Sequence, residues 1–166
     1  MKLLRVIGVV ALLGVAAYIG YRVFARPAAN VGESVAVYYT KTDGTTLAKW
    51  NVSLDPAQDR PSAAFYGAVQ AVAGPAPDVP AVRFPAGTVV RSVDVKGSTA
   101  SVDLDGSITT APSGSLAESG EFKALVWTLT ALPGIDAVQV RVDGARVSTL
   151  PGGHLELDEP LTRQSW

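Results

Sequence analysis

The sequence predicts an α+β domain: a mainly antiparallel sheet with two helices on one face, in the order ββαββαββ, preceded by one N-terminal transmembrane helix. Three observations carry this expectation. Beyond residue 33, segments of alternating apolar and polar residues are joined in pairs by Asp-Gly or Gly-Ser turns. Between those pairs, two segments place apolar residues at helical spacing. Ahead of them, residues 6–21 run for 16 positions without a charge. The 16 Gly and 11 Pro among 166 residues supply the turns that many short strands need.

As a helix, residues 6–21 span about 24 Å, short of the ~30 Å hydrocarbon core. Residues 3–25 span about 34 Å, with Arg5 and Arg22 reaching toward opposite interfaces. Tyr18 and Tyr21 suit an interfacial aromatic belt. The run is apolar all round, whereas a core helix of a small domain carries a single stripe. Two readings stay open. One is an uncleaved anchor over residues 1–26. The other is a signal peptide, with Lys2 and Arg5 as its charged start and cleavage after Ala25. Arg22 so close to that cleavage point, and Pro27 just beyond it, favour the anchor. Only five residues precede the charge-free run, so the N-terminus is placed inside and the body outside the cell membrane. Cleavage would make the body secreted. Residues 27–33 read as a linker, and residues 34–166 as the domain.

The first strand starts at Ser34, with Val35, Val37 and Tyr39 on one face. Asp43-Gly44 turns it into a return strand over residues 47–54. Asp59 caps a helix that has Pro61 in its first turn, Phe65, Ala68, Val69 and Val72 on its apolar side, and Gly74-Pro75 as its stop. After a proline-rich loop, residues 88–96 form a strand with Val89, Val93 and Val95 on one face. Gly97-Ser98 leads into residues 99–104, where Ala100, Val102 and Leu104 alternate with polar residues. Ser115-Leu116-Ala117-Glu118 reads as a capping box. The helix it opens has Phe122, Leu125, Val126, Leu129 and Leu132 as its stripe and ends at Pro133-Gly134. Val138, Val140 and Val142 then face inward against Gln139, Arg141 and Asp143, and Asp143-Gly144 turns into a last strand over residues 146–150.

Charge and composition exclude several function classes. Of 14 basic residues, Lys2, Arg5, Arg22 and Arg26 lie in the first 30 positions, which leaves ten against 15 acidic residues in the body, a net of −5. A body of that sign repels phosphate backbones, so nucleic acid is not an expected partner. With no Cys and one His, thiolate metal sites, cysteine nucleophiles, disulfides, lipid attachment through a lipobox Cys and two-His metal centres are all excluded.

The segment Leu-Val-Trp-Thr-Leu-Thr-Ala-Leu-Pro-Gly-Ile-Asp-Ala-Val-Gln-Val over residues 125–140 is followed by Val-Asp-Gly at 142–144, Gly153-His154, and a closing Pro160-Leu161-Thr162-Arg163. Upstream stand Phe84-Pro85-Ala86-Gly87-Thr88 before a valine-rich strand, and Ala100-Ser101-Val102-Asp103-Leu104. In this order the pieces resemble the GerMN domain of bacterial sporulation and germination envelope proteins, over about residues 33–163. The resemblance implies a non-enzymatic, membrane-tethered extracytoplasmic module that associates with other cell-envelope proteins, similar in shape to ring-building domains of envelope channels. It carries over no catalytic residue, cofactor or metal. Family members include lipoproteins; this chain lacks the Cys they need and departs by offering residues 3–25 as its membrane tether. Oligomerisation of the isolated domain is not predicted.

Candidate chemistry is sparse. His154 is read either as a general base beside Glu156 or Asp158, the basis of an alternative function as a small envelope hydrolase or ligand-binding protein with Asp103 and Asp143 nearby, or as a structural residue of the last turn. The structural reading is preferred. Thr128 and the serines lack a nucleophile motif. Asp103-Leu104-Asp105-Gly106-Ser107 resembles the start of a calcium loop, but its Gly falls at the fourth place and position 12, Gly114, is not Glu. Asp103 reads more simply as a strand-end carboxylate that caps a turn. Asn51-Val52-Ser53 fits a glycosylation sequon, which is idle in a bacterial setting. Trp127 is placed at the edge of the second helix's stripe as core rather than ligand platform, while Trp50 and Trp166 remain unplaced.

Overall fold

The computed structural model describes residues 34–54, 59–110 and 114–166. The expectations for the anchor over residues 1–26, its span over residues 3–25 and the linker over residues 27–33 lie outside them. Among the described residues, no helix is long and apolar enough to cross a membrane.

The chain order is β1 (Ser34–Thr40), β2 (Leu47–Ser53), α1 (Arg60–Ala73), β3 (Val90–Lys96), β4 (Thr99–Leu104), α2 (Ser115–Leu129), β5 (Ala137–Val142) and β6 (Ala145–Arg146). Short 3-10 turns at Gly106–Thr109 and Arg163–Ser165 complete it. The α+β class and the ββαββαββ order hold, but the single sheet does not. β1 and β2 form a separate antiparallel pair, and the other four strands form a sheet in the order β3-β4-β5-β6. Within that sheet β4 and β5 run parallel, Thr99 opposite Ala137 through Leu104 opposite Val142. The reason is the connection. α2 carries the chain back to the starting end of β4, so the next strand must run the same way.

Both helices contact β1 as well as the four-stranded sheet, α1 through β3 and α2 through β5. α2 packs against β1, β5 and α1. Gly120, Glu121, Phe122, Ala124, Leu125, Val126, Thr128 and Leu129 are all buried, so most of its circumference is enclosed. What remains outward is a narrow stripe of Leu116, Ser119, Lys123, Trp127 and Thr130. α1 buries Ala63, Ala64, Gly67, Ala68, Ala71 and Val72, small residues that let it approach closely. A side chain at Gly67 would meet Val35 and Thr128 at once. Phe65, expected on the apolar side, lies off this small-residue face and is 41% exposed.

Local signals set the boundaries. Asp59 caps α1, its Oδ1 accepting from the Ser62 amide at 2.9 Å, and Gly74 ends the helix with φ 74°. Asp43 Oδ1 accepts from the amides of Thr45 (2.8 Å) and Thr46 (2.7 Å) and so closes the β1–β2 turn. β3 begins at Val90 and not residue 88, and a bulge at Arg91 shifts its pairing between Val90 and Ser92. That shift puts Val90, Val93 and Val95 on the core face and leaves Val89 55% exposed. β6 is two residues long, far short of the expected strand over residues 146–150. A bridge between Val138 and Leu161 covers the rest of that edge of β5.

Candidate functional site

α2 has Gly114, not Ser115, at its N-cap, and no side chain caps it. The expected capping box is therefore absent. Glu118, released from capping, is only 2% exposed and accepts from the His154 amide through Oε2 at 2.6 Å. A carboxylate in the first turn of a helix is also favoured by the helix dipole. This bond pins residues 150–154 over the start of α2. Gly153 permits it, since a side chain there would run into the Glu118 carboxylate and the Leu150 carbonyl. A cavity of about 10 Å3, bounded by Ile108, Gly114, Glu118 and Leu150, lies beside the contact.

His154 is thus held by its backbone, while the residue itself is exposed. Its neighbours Glu156, Asp158 and Glu159 line the same shallow groove. Further along, Leu157 is fully buried, and Gln139 Nε2 donates to its carbonyl at 2.9 Å. Gln139 was expected on the outer face of β5; it is 1% exposed because residues 147–161 fold back over that face.

The aspartates named with His154 gather elsewhere. Asp103 Oδ1 accepts from the Gly144 amide at 2.7 Å and caps a turn, as expected of it, though the turn is the one joining β5 to β6. Arg91, at the bulge, lies 3.6 Å from Asp103 and bonds Asp143. Asp143 itself has a positive φ of 48°, which the turn with Gly144 requires. Among the described residues, Asp103 and Asp143 bond to Gly144 and Arg91, and His154 to Glu118, so the three are not brought together. Asp105 accepts from the Ser107 hydroxyl (2.6 Å) and the Val89 amide (2.8 Å), and these bonds hold its carboxyl below the ordinary carboxylate range. Both carboxylates of the calcium-loop reading are thereby engaged with the chain itself. Among the described residues, no group of three or more acidic or His side chains is placed to hold a metal.

The tryptophans form two clusters. Trp127 and Trp166 meet edge to face, 5.6 Å between ring centroids, and Lys123 and Arg163 lie over the Trp127 ring at 5.5 and 5.6 Å. Trp166 Nε1 donates to Ser119 Oγ at 2.8 Å, and Arg163 Nε donates to Thr130 Oγ1 at 2.8 Å. The C-terminal turn therefore lies over the outward stripe of α2, and Trp127 is half-buried packing, as expected. Trp50 pairs with Tyr39 at 5.6 Å on the β1–β2 hairpin, and Asn51 of the sequon is exposed beside it.

Solved structures similar to this one share its fold at low identity. The first GerMN domain of the sporulation protein GerM from Bacillus subtilis superposes with a TM-score of 0.62 at 24% identity, over 79% of this chain and 98% of that one. The tandem GerMN domains of the same protein give 0.62 at 22%, over 79% and 46%. A Clostridium perfringens chain described as a lipoprotein gives 0.57 at 19%, over 79% and 86%. No curated protein matches this chain. The Germane family model, described as sporulation and spore germination, matches residues 36–148, well over half of the sequence. The chain belongs to the Germane sporulation and spore germination family and carries a GerMN domain.

Proposed function

We propose that this protein is a non-enzymatic, membrane-tethered extracytoplasmic domain that serves as a protein-interaction or assembly module of the bacterial cell envelope. The observation that carries this reading is the family match over residues 36–148, which spans the described fold from β1 to just past β6. The way the domain uses its polar groups supports it. Glu118, Asp59, Asp103 and Asp105 accept from backbone amides, and His154 is held by its own amide. A relative described as a lipoprotein supports a body outside the membrane, here tethered through residues 3–25 because the sequence has no Cys to lipidate.

Site-specific photo-crosslinking in intact cells tests the interaction role, with the probe placed at exposed positions such as Phe65, Val89 or Glu156. The expected result is a discrete adduct with a second envelope protein from at least one surface, unchanged by His154→Ala. A folded, membrane-associated chain that gives no adduct from any position refutes an assembly role. Loss of both the adduct and a measurable hydrolysis in His154→Ala would instead support the hydrolase alternative.

A further inference from the structure

We draw no further inference here: the strongest candidate, the open groove between α1 and the free edge of β3 lined by Phe65, Tyr66 and Val93, is an unpartnered apolar surface, and nothing in the structure shows what covers it.

Discussion

The backbone amide of Tyr38 donates to the side-chain hydroxyl of Thr128 at 2.9 Å, while the same hydroxyl donates to the Ala124 carbonyl at 2.8 Å. Thr128 is fully buried. A strand edge that would otherwise present an unpaired N–H to the interior is closed by one helical side chain. About two turns earlier on α2, the hydroxyl of buried Thr40 donates to the Gly120 carbonyl at 2.8 Å. Together these bonds tie β1, in the hairpin that stands apart from the four-stranded sheet, to α2.

Replacing Thr128 by Val keeps the shape and removes the acceptor, which leaves the Tyr38 amide buried without a partner. Such a loss costs about 1–3 kcal/mol. Urea denaturation is expected to show that decrease for Thr128→Val and a smaller one for Thr128→Ser, which retains the hydroxyl. A loss in Thr128→Ser with none in Thr128→Val would mean that the methyl group, and not the hydrogen bond, carries the contact.

Leu129 is fully buried on the same helix. Leu129→Ala is expected to cost about 2–5 kcal/mol through lost burial and the cavity left behind. A melting temperature within a degree or two of the parent would contradict the placement of that face.

Glu118 and His154 have opposite expected sensitivities. Glu118→Ala removes the acceptor of the His154 amide, so hydrogen exchange at residues 152–154 is expected to quicken and stability to fall by about 1–3 kcal/mol. His154→Ala keeps the backbone donor and alters an exposed residue, so its change is expected within about 0.5 kcal/mol. A large loss for His154→Ala with none for Glu118→Ala would reverse their roles.

Asp43, Asp59 and Asp105 are each held below the ordinary carboxylate range by accepted hydrogen bonds, chiefly from Thr46, Ser62 and Ser107 respectively. A carboxylate depressed in the folded state stabilises it above the unfolded value near 4 and loses that contribution as the pH falls through the lower folded value. Stability is therefore expected to decline as the pH drops below about 4. Asp43→Asn retains the turn's acceptor oxygen but cannot ionise, so the decline should be shallower in that variant. An unchanged acid slope would remove Asp43 from the account.

Much of this fold is legible in the residues. The Asp43-Gly44 turn, the Asp59 cap, the Gly74 stop and the Val138, Val140 and Val142 face are local signals, fixed by a few neighbouring residues and found where expected. What escaped depends on contacts far along the chain. The Arg91 bulge is set by Asp103 and Asp143, 12 and 52 positions away, and moved Val89 off the core face. Gln139 looked like an outward residue in a clean alternation, and only the return of residues 147–161 buries it. Glu118 stood in a sequence that also fits a capping box, so its bond to His154 was hidden behind a local motif. The signal that remained was its closeness to Glu121 in a segment about to become apolar, two acids where a buried helix begins. The parallel pairing of β4 and β5 follows from α2 crossing between them, which an order of elements does not by itself specify.

The proposed function requires the domain to be displayed outside the cytoplasm on a hydrophobic tether. Protease added to intact spheroplasts making the full-length chain distinguishes the outcomes, with a cytosolic marker to report sealing and high-salt washing to separate ionic from hydrophobic attachment. The expected result is a chain that stays with the membranes after the wash and loses its body to the protease while the marker survives. Release of the body into the medium without its first ~25 residues would replace the anchor with a cleaved signal peptide and leave the exported domain in place. A body that resists protease until the spheroplasts are lysed, and is then degraded, would contradict the claim.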